Sequence, residues 1–375
     1  MKVLHLLNEL RPSGAEIMLR IAAPLFRETG VDSAILSTGD SVGPYAPQLE
    51  AAGYPIHHIP FSRSPAFFLR VAQFAKESGF DLVHIHAERA FIGHVLAARL
   101  LRLSMVRTIH NNFNFEGVLR RRRGFERRLA ARLGVAYIAI APGVERNERV
   151  RYGISPQLIP NWFDSARFQA VTPAARAAAR TALGVDAGDY VLVSVGNCSP
   201  VKNHAALLKA LARCRDLPWR YLHIGHEEDG TPERELAAKL GIAERVRFVG
   251  AVDDVLPYLQ AADLYVMPSR FEGLGIATLE AVACGLPALL TDVPGLADFR
   301  HYVDGIHYCA PDEAGLEAAL RPLIVRGPAL DAEGTARSVA VHEAFGLERG
   351  VRAYTDLYFA MSAQRQASAV LSETA

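Results

Sequence analysis

The sequence predicts an α/β protein of two doubly wound, Rossmann-like parallel-sheet domains, and three observations carry that prediction. Short apolar runs alternate with amphipathic segments from Val3 to Ile140, and the same rhythm starts again at Tyr190 and continues to Thr291. With 375 residues, 50% of them apolar, the chain is long enough to bury two cores. Between the two series lie the turn Ile159-Pro160-Asn161-Trp162-Phe163-Asp164, Pro173 and an alanine-rich run to Leu183. This linker places the boundary near Ala166, with one domain over 1–165 and the other over 166–345.

In order along the chain, Val3-Leu4-His5-Leu6-Leu7 reads as a first strand. It is too short for the core of a signal sequence and is followed at once by Asn8 and Glu9. Arg11-Pro12-Ser13-Gly14-Ala15-Glu16 then turns into a helical segment through Phe26. Strands are expected around Ile35, Ile56–Ile59, Leu82–His86, Met105–Ile109 and Ala136–Ile140. His84 and His86 share one strand face; with no third ligand of suitable spacing, hydrogen-bonded packing is expected rather than a metal. His110 and Asn111 stand at the carboxyl end of a strand, where open parallel sheets bind ligands.

The segment Leu119 to Leu133 carries Arg120, Arg121, Arg122, Arg123, Arg127, Arg128 and Arg132, with only Glu126 opposing them in sequence. As a helix with Phe125, Leu129 and Leu133 on one side, it is a solvated face, a contact for an anionic membrane or a contact for a pyrophosphate-linked acceptor. In the second series, Gly196-Asn197 follows a strand and Lys202 stands just before the helix that starts at His204. A cation there is placed to neutralise a bound anion. Strands are expected at Trp219–Ile224, Val246–Val249 and Leu264–Met267, and a long amphipathic helix at about 346–363, with residues frayed from Gln364.

Bulk chemistry excludes several classes. Lys+Arg 41 against Asp+Glu 40 leaves a net charge of +1, so the chain is not a general nucleic-acid binder. Cys198, Cys214, Cys284 and Cys309 are far apart, which fits neither a zinc knuckle nor a disulfide framework and suits a reducing cytoplasm. No stretch is long and apolar enough to span a bilayer, so any membrane contact is expected to be peripheral.

The most informative stretch is Phe271-Glu272-Gly273-Leu274-Gly275-Ile276-Ala277-Thr278-Leu279-Glu280, after the apolar run Leu264 to Pro268. It reads as strand, glycine loop and helix start, which presents backbone N–H groups to an anion such as a phosphate. Glu272 and Glu280 have seven residues between them and so do separate jobs. A ribose diol offers two O–H donors to one carboxylate, and Glu280 suits that role. Gly273-x-Gly275-x-x-Thr278 also nearly matches a dinucleotide fingerprint, but Thr278 stands in place of the third glycine.

The pattern resembles the Glu, seven residues, Glu motif of retaining glycosyltransferases of the GT-B fold, in particular the family-four group. The resemblance implies two Rossmann-like domains facing an interdomain cleft, with the nucleotide-sugar on the C-terminal side and the acceptor on the N-terminal side. It implies that Glu272 contacts the donor sugar, that the backbone of Gly273, Leu274, Gly275, Ile276 and Ala277 contacts sugar and diphosphate, and that Glu280 holds the ribose. The Gly14/Glu16 loop resembles the family's N-terminal glycine loop with Ser13 in place of one glycine. His110 resembles the His beside the transferred sugar. Asn161 to Asp164 resembles the turn joining the halves, with Trp162 in place of glycine. Lys202 resembles the lysine that clamps the diphosphate, while Asn197 occupies the position of its partner arginine and removes one fixed charge; Arg270 is a compensating cation.

The reaction so implied uses the donor's own phosphate oxygen to accept the acceptor proton, with no enzymic nucleophile, no cofactor and no metal. The donor is expected to be a nucleotide-diphosphate sugar, a UDP-sugar by preference, although no residue chooses the base. The acceptor is expected to be a saccharide or lipid-linked saccharide of bacterial surface polysaccharide assembly, reached from the cytoplasm at the inner face of the membrane. Other readings of the same residues are a nucleotide-sugar epimerase, a non-catalytic nucleotide-sugar binder and a dehydrogenase.

Overall fold

The short apolar runs become strands whose two faces are both covered, so their side chains are buried almost without interruption rather than alternately. The computed structural model describes residues 1–186, 188–327 and 332–373. These form two units, one of Met1–Trp162 with Leu347 onward, the other Phe163–Gly346.

The first unit holds strands β1 (Lys2–Leu7), β2 (Asp32–Ser37), β3 (Ile56–His58), β4 (Leu82–Ile85), β5 (Ser104–Ile109), β6 (Val135–Ala139) and β7 (Gln157–Leu158). They form one seven-stranded sheet in the order β3-β2-β1-β4-β5-β6-β7, and every pair is parallel. The second unit holds β8 (Tyr190–Val195), β9 (Trp219–Ile224), β10 (Val246–Gly250), β11 (Leu264–Met267), β12 (Ala288–Thr291) and β13 (Ile306–Cys309). Its order is β10-β9-β8-β11-β12-β13, again all parallel. Each order reverses direction beside its first strand, at β1/β4 and at β8/β11. Crossovers on either side of that point, right-handed as a rule between parallel strands, put helices on both faces and open a crevice at the carboxyl ends of the central strands.

Strands β7 and β13 lie outside the expected runs, because β7 is an exposed two-residue edge and β13 mixes polar with apolar residues. The terminal helix runs Leu347–Glu373, so the fraying expected from Gln364 is corrected as far as Glu373; Thr374 and Ala375 lie outside the described residues. This helix is anchored in the first unit through Tyr354, whose hydroxyl meets Thr108 Oγ1 at 2.7 Å, and Tyr358, whose hydroxyl meets His84 Nδ1 at 2.6 Å.

Trp162 stands where the resemblance leads one to expect glycine, and the fold explains how it is housed. Its indole is 2% exposed, its Nε1–H donates to the Met18 carbonyl at 3.1 Å, and its ring meets Phe26 and Tyr354 edge-on. The bare backbone of Gly350 on the terminal helix lies against it, so that a Cβ there would stand 2.3 Å from the indole. A tryptophan in the turn thus requires a glycine almost two hundred residues later.

The arginine helix, Gly117–Arg132, corrects two expectations. Its buried face is Gly124, Glu126, Arg127 and Ala130, whereas Phe125 is 61% exposed. Nor is Glu126 the only acid opposing the arginines. Arg127 is buried and its Nε donates to Glu148 at 2.7 Å, while Glu88 also faces it at 3.3 Å; Glu126 accepts from Arg122 at 2.8 Å and Arg123 at 2.9 Å. Glu88 arrives from the loop after β4 and Glu148 from a π-helical turn, Glu148–Tyr152, both invisible from local spacing. Arg120, Arg121 and Arg132 remain exposed without an acidic partner among the described residues.

Candidate functional site

Crossing the switch point of the second sheet, the loops after β8 and β11 come together. Lys202 from the first loop and Glu272 from the second meet at 2.5 Å (Nζ to Oε1), with side chains 26% and 11% exposed. Seventy residues separate them in sequence, and the parallel pairing of β8 with β11 brings them side by side. Ser269 donates to the same carboxylate oxygen at 2.9 Å, which fixes Glu272 from the other side.

Asn203 stitches the two loops. It adopts a left-handed backbone at φ 61°, a conformation that asparagine tolerates, and caps the helix His204–Arg213. Its amide nitrogen donates to the Pro268 and Pro311 carbonyls at 3.0 and 3.1 Å, and its oxygen accepts from Arg270 Nε at 3.1 Å. Neither Ser269 nor Asn203 was expected as part of the site. Both are small polar loop residues; Asn203 is distinguished by its bonds between loops, and Ser269 by its bond to Glu272 within its own loop.

The loop after β11 ends at Gly275, the N-cap of the helix Ile276–Ala283, with φ 76°, a conformation that favours glycine. The N–H groups of Ile276 and Ala277 open that helix and so lack intrahelical acceptors, on the end where the dipole is positive. Gly273 and Leu274 are buried in the same loop, and Glu280 lies half-buried in the helix. Asn197 is exposed, and its side-chain oxygen accepts from the His226 N–H at 2.9 Å, leaving its amide NH2 as the remaining donor. Arg270 is exposed and held by Asn203.

In the first unit Gly14 opens the helix Gly14–Glu28 after β1. Ser13 donates to the buried carboxyl of Glu16, whose pKa burial raises above the usual carboxylate value. His110 follows β5, and its Nε2 meets His86 Nδ1 at 2.9 Å. Burial, reinforced by the Arg107 cation, lowers the His110 pKa to about 3. The expectation that His84 and His86 have no third nitrogen ligand nearby is corrected. Parallel pairing sets His5 opposite His84, and the nitrogens of His5, His84 and His86 lie within 4.8 Å of one another. His84 already spends both nitrogens, on Tyr358 at 2.6 Å and Thr108 at 2.7 Å.

Two family models match adjoining parts of the sequence: Glycosyltransferase Family 4 over residues 12–167, and Glycosyl transferases group 1 over residues 175–330. The chain belongs to the GT-B glycosyltransferases of family-four type. The first match contains Gly14, Glu16 and His110, and the second contains Asn197, Lys202 and Glu272 to Glu280.

Among curated relatives of this family-four glycosyltransferase chain, a D-inositol 3-phosphate glycosyltransferase of Geodermatophilus obscurus is 36% identical over 234 residues, 58% of this chain and 50% of the relative. One from Mycobacterium sp. strain KMS is 36% identical over 181 residues, 46% of this chain and 40% of the relative. The matched region spans about half the length of these relatives or less. Among solved structures, HepE of Anabaena in complex with UDP is similar with a TM-score of 0.82 at 22% identity, covering 96% of this chain and 100% of its own. A glycosyltransferase of Rickettsia africae ESF-5 is similar with a TM-score of 0.82 at 18% identity, covering 96% and 98%. At these identities the two structures speak for the GT-B fold.

Proposed function

We propose that this chain transfers a hexosyl-type sugar, with retention of configuration, from a nucleotide-diphosphate sugar to a saccharide or lipid-linked saccharide. The observation that carries the proposal is the Lys202–Glu272 pair beside the helix start at Ile276. A cation and unpaired backbone N–H groups together favour a diphosphate, and they favour it most as it leaves and gains charge. The adjacent carboxylate suits the hydroxyls of the sugar attached to it. In this reading Lys202 turns from Glu272 towards the diphosphate, and Glu272, still held by Ser269, is released to accept from the sugar.

The remaining roles follow the same chemistry. Glu280 accepts from the ribose hydroxyls. The backbone of Gly273, Leu274, Gly275, Ile276 and Ala277 lies along the donor, Asn197 supplies an amide donor, and Gly14 and His110 are proposed contacts of donor phosphate and sugar. The donor's phosphate oxygen takes the acceptor proton on the face from which the sugar departs, so the chemistry calls on no metal. A UDP-sugar is the preferred donor, in keeping with the UDP bound by HepE of Anabaena. The setting proposed is surface polysaccharide assembly at the inner face of a bacterial membrane.

Calorimetric titration with UDP, GDP, ADP and NAD, each with and without a chelator, tests this reading. One nucleoside diphosphate should bind, and chelation should leave its affinity unchanged; binding of NAD alone would overturn the proposal. Replacing Glu280 with alanine should weaken that nucleotide by about 10- to 100-fold, the worth of hydrogen bonds to a charged acceptor. An unaltered affinity would remove Glu280 from the ribose site.

Peripheral membrane contact is proposed through the outer face of the arginine helix. Val118 is 82% and Leu119 44% exposed there, beside Phe125 and the exposed Arg120 and Arg121. Apolar side chains interleaved with arginine suit the boundary of an anionic bilayer. Among the described residues no helix is long and apolar enough to cross a membrane. The chain should float with vesicles containing anionic lipid and lose most of that binding when Arg120, Arg121 and Phe125 are all replaced by serine. Equal flotation of the two would exclude this face.

A further inference from the structure

Beneath His110 the rings continue inward as a chain. His86 Nδ1 meets His110 Nε2 at 2.9 Å, His86 Nε2 meets His5 Nδ1 at 3.2 Å, and His5 Nε2 meets Ser33 Oγ at 3.3 Å. His5 comes from β1, Ser33 from β2, His86 from just after β4 and His110 from just after β5, so four neighbouring strand positions supply one file of donors and acceptors. The cavity that these rings border amounts to about 10 Å³. That is no more than one water molecule needs, so the rings bond to one another directly.

Burial sets their charge state. It lowers the pKa of His5 to about 3 and that of His86 well below the usual value, and the Arg107 cation acts in the same sense on His86 and His110. At neutral pH all three rings are therefore neutral, each with one N–H and one bare nitrogen. Each of the three links needs one hydrogen, and this leaves two self-consistent patterns. If Ser33 donates to His5, then His5 donates to His86 and His86 donates to His110, whose proton is left on Nδ1. If Ser33 accepts from His5, every link reverses and His110 Nδ1 carries a lone pair. Any mixed pattern sets two N–H groups, or two bare nitrogens, against each other in a dry site. A serine hydroxyl both donates and accepts, so the far end permits either pattern. His84, tied at both nitrogens, stays outside the file.

We propose that Ser33, His5 and His86 are positioning residues that form a neutral tautomer relay, through which His110 Nδ1 presents either a donor or an acceptor. Its use at the sugar rests on the role proposed above for His110; the relay itself does not. One sugar hydroxyl can then be met in either orientation, with no charge created in the buried site.

Nitrogen-15 spectra of the histidine rings in the full chain, at neutral pH and without ligand, test the relay. Ser33→Ala should move the ring signals of His5, His86 and His110 together, although His110 lies two rings away, and Ser33→Thr, which keeps the hydroxyl, should restore the original pattern. His5→Phe is the second variant and should shift His110 as well. His110 signals unmoved by both Ser33→Ala and His5→Phe would overturn the relay. So would a charged ring at neutral pH, or tight uptake of Zn²⁺ with loss of the ring N–H signals, which would make the cluster a metal site. Failure of nucleotide binding in the calorimetric test would leave these spectra unchanged, so the two proposals fail separately.

Discussion

Replacing Lys202 with alanine is expected to lower glycosyl transfer from a UDP-sugar by about 10²- to 10³-fold in kcat, the usual effect of removing one preorganised group that stabilises developing charge. The loss should exceed that of a neutral vacancy, because Glu272 stands 2.5 Å away and would face the diphosphate uncompensated. Some stability should be lost as well, since the pair is mostly buried and removing one partner leaves Glu272 held by Ser269 alone. Initial-rate kinetics with a radiolabelled donor, alongside a melting curve, separate the two effects. Turnover within twofold of the parent would remove Lys202 from the diphosphate site. Lys202→Arg should recover part of the rate, because the charge returns with a different geometry.

Trp162→Ala should produce the largest loss of stability. Truncating a fully buried tryptophan costs about 3–5 kcal/mol through lost apolar contact and an unfilled cavity. For a unit of this size that lowers the melting temperature by roughly 6–20 °C. The Met18 carbonyl also loses its indole donor. The backbone of Gly350 lies against the ring and cannot collapse into the space without moving the helix Leu347–Glu373, whose Tyr354 and Tyr358 are hydrogen-bonded to Thr108 and His84. Differential scanning calorimetry checks this, and a shift of only one or two degrees would show that the indole is not the packing element described. Trp162→Phe should recover part of the loss, since an aromatic ring still faces Phe26 and Tyr354.

Much of the fold is legible in the sequence because parallel strands covered on both faces read as nearly continuous apolar runs, and the runs around β1, β4, β8 and β11 are of this kind, broken only by His5, His84 and Ser194. The edge strands β7 and β13 are not legible, since an edge need not be apolar on both faces. The loop from Glu272 to Ile276 is legible for a different reason. Its glycine, the φ of 76° and the helix start are neighbours in the chain, so their chemistry is local. Asn203 carries no such local mark, because it matters through the two loops it joins; Ser269 acts locally, on a carboxylate three residues on, but a serine in a loop does not by itself announce that bond.

The arginines show where local reading stops. Seven positive charges against one acid is a correct count for Leu119 to Leu133, yet Arg127 is buried against Glu148 and Glu88, which come from other elements. A buried guanidinium must be paired, and the partner's place in the sequence is irrelevant to that requirement.

By itself, then, the sequence determined two alternating strand–helix series, the carboxyl-end positions of His110, Lys202 and Glu272, and the family to which those spacings point, because periodicity and loop chemistry act between residues near in the chain. The tertiary structure alone decided that Lys202 meets Glu272 across 70 residues, that His5 joins His86 and His110 in one file, that the arginine helix turns Phe125 outward, and that Gly350 makes room for Trp162. Those contacts depend on which strands become neighbours and in what register, and that choice is made by packing the whole sheet.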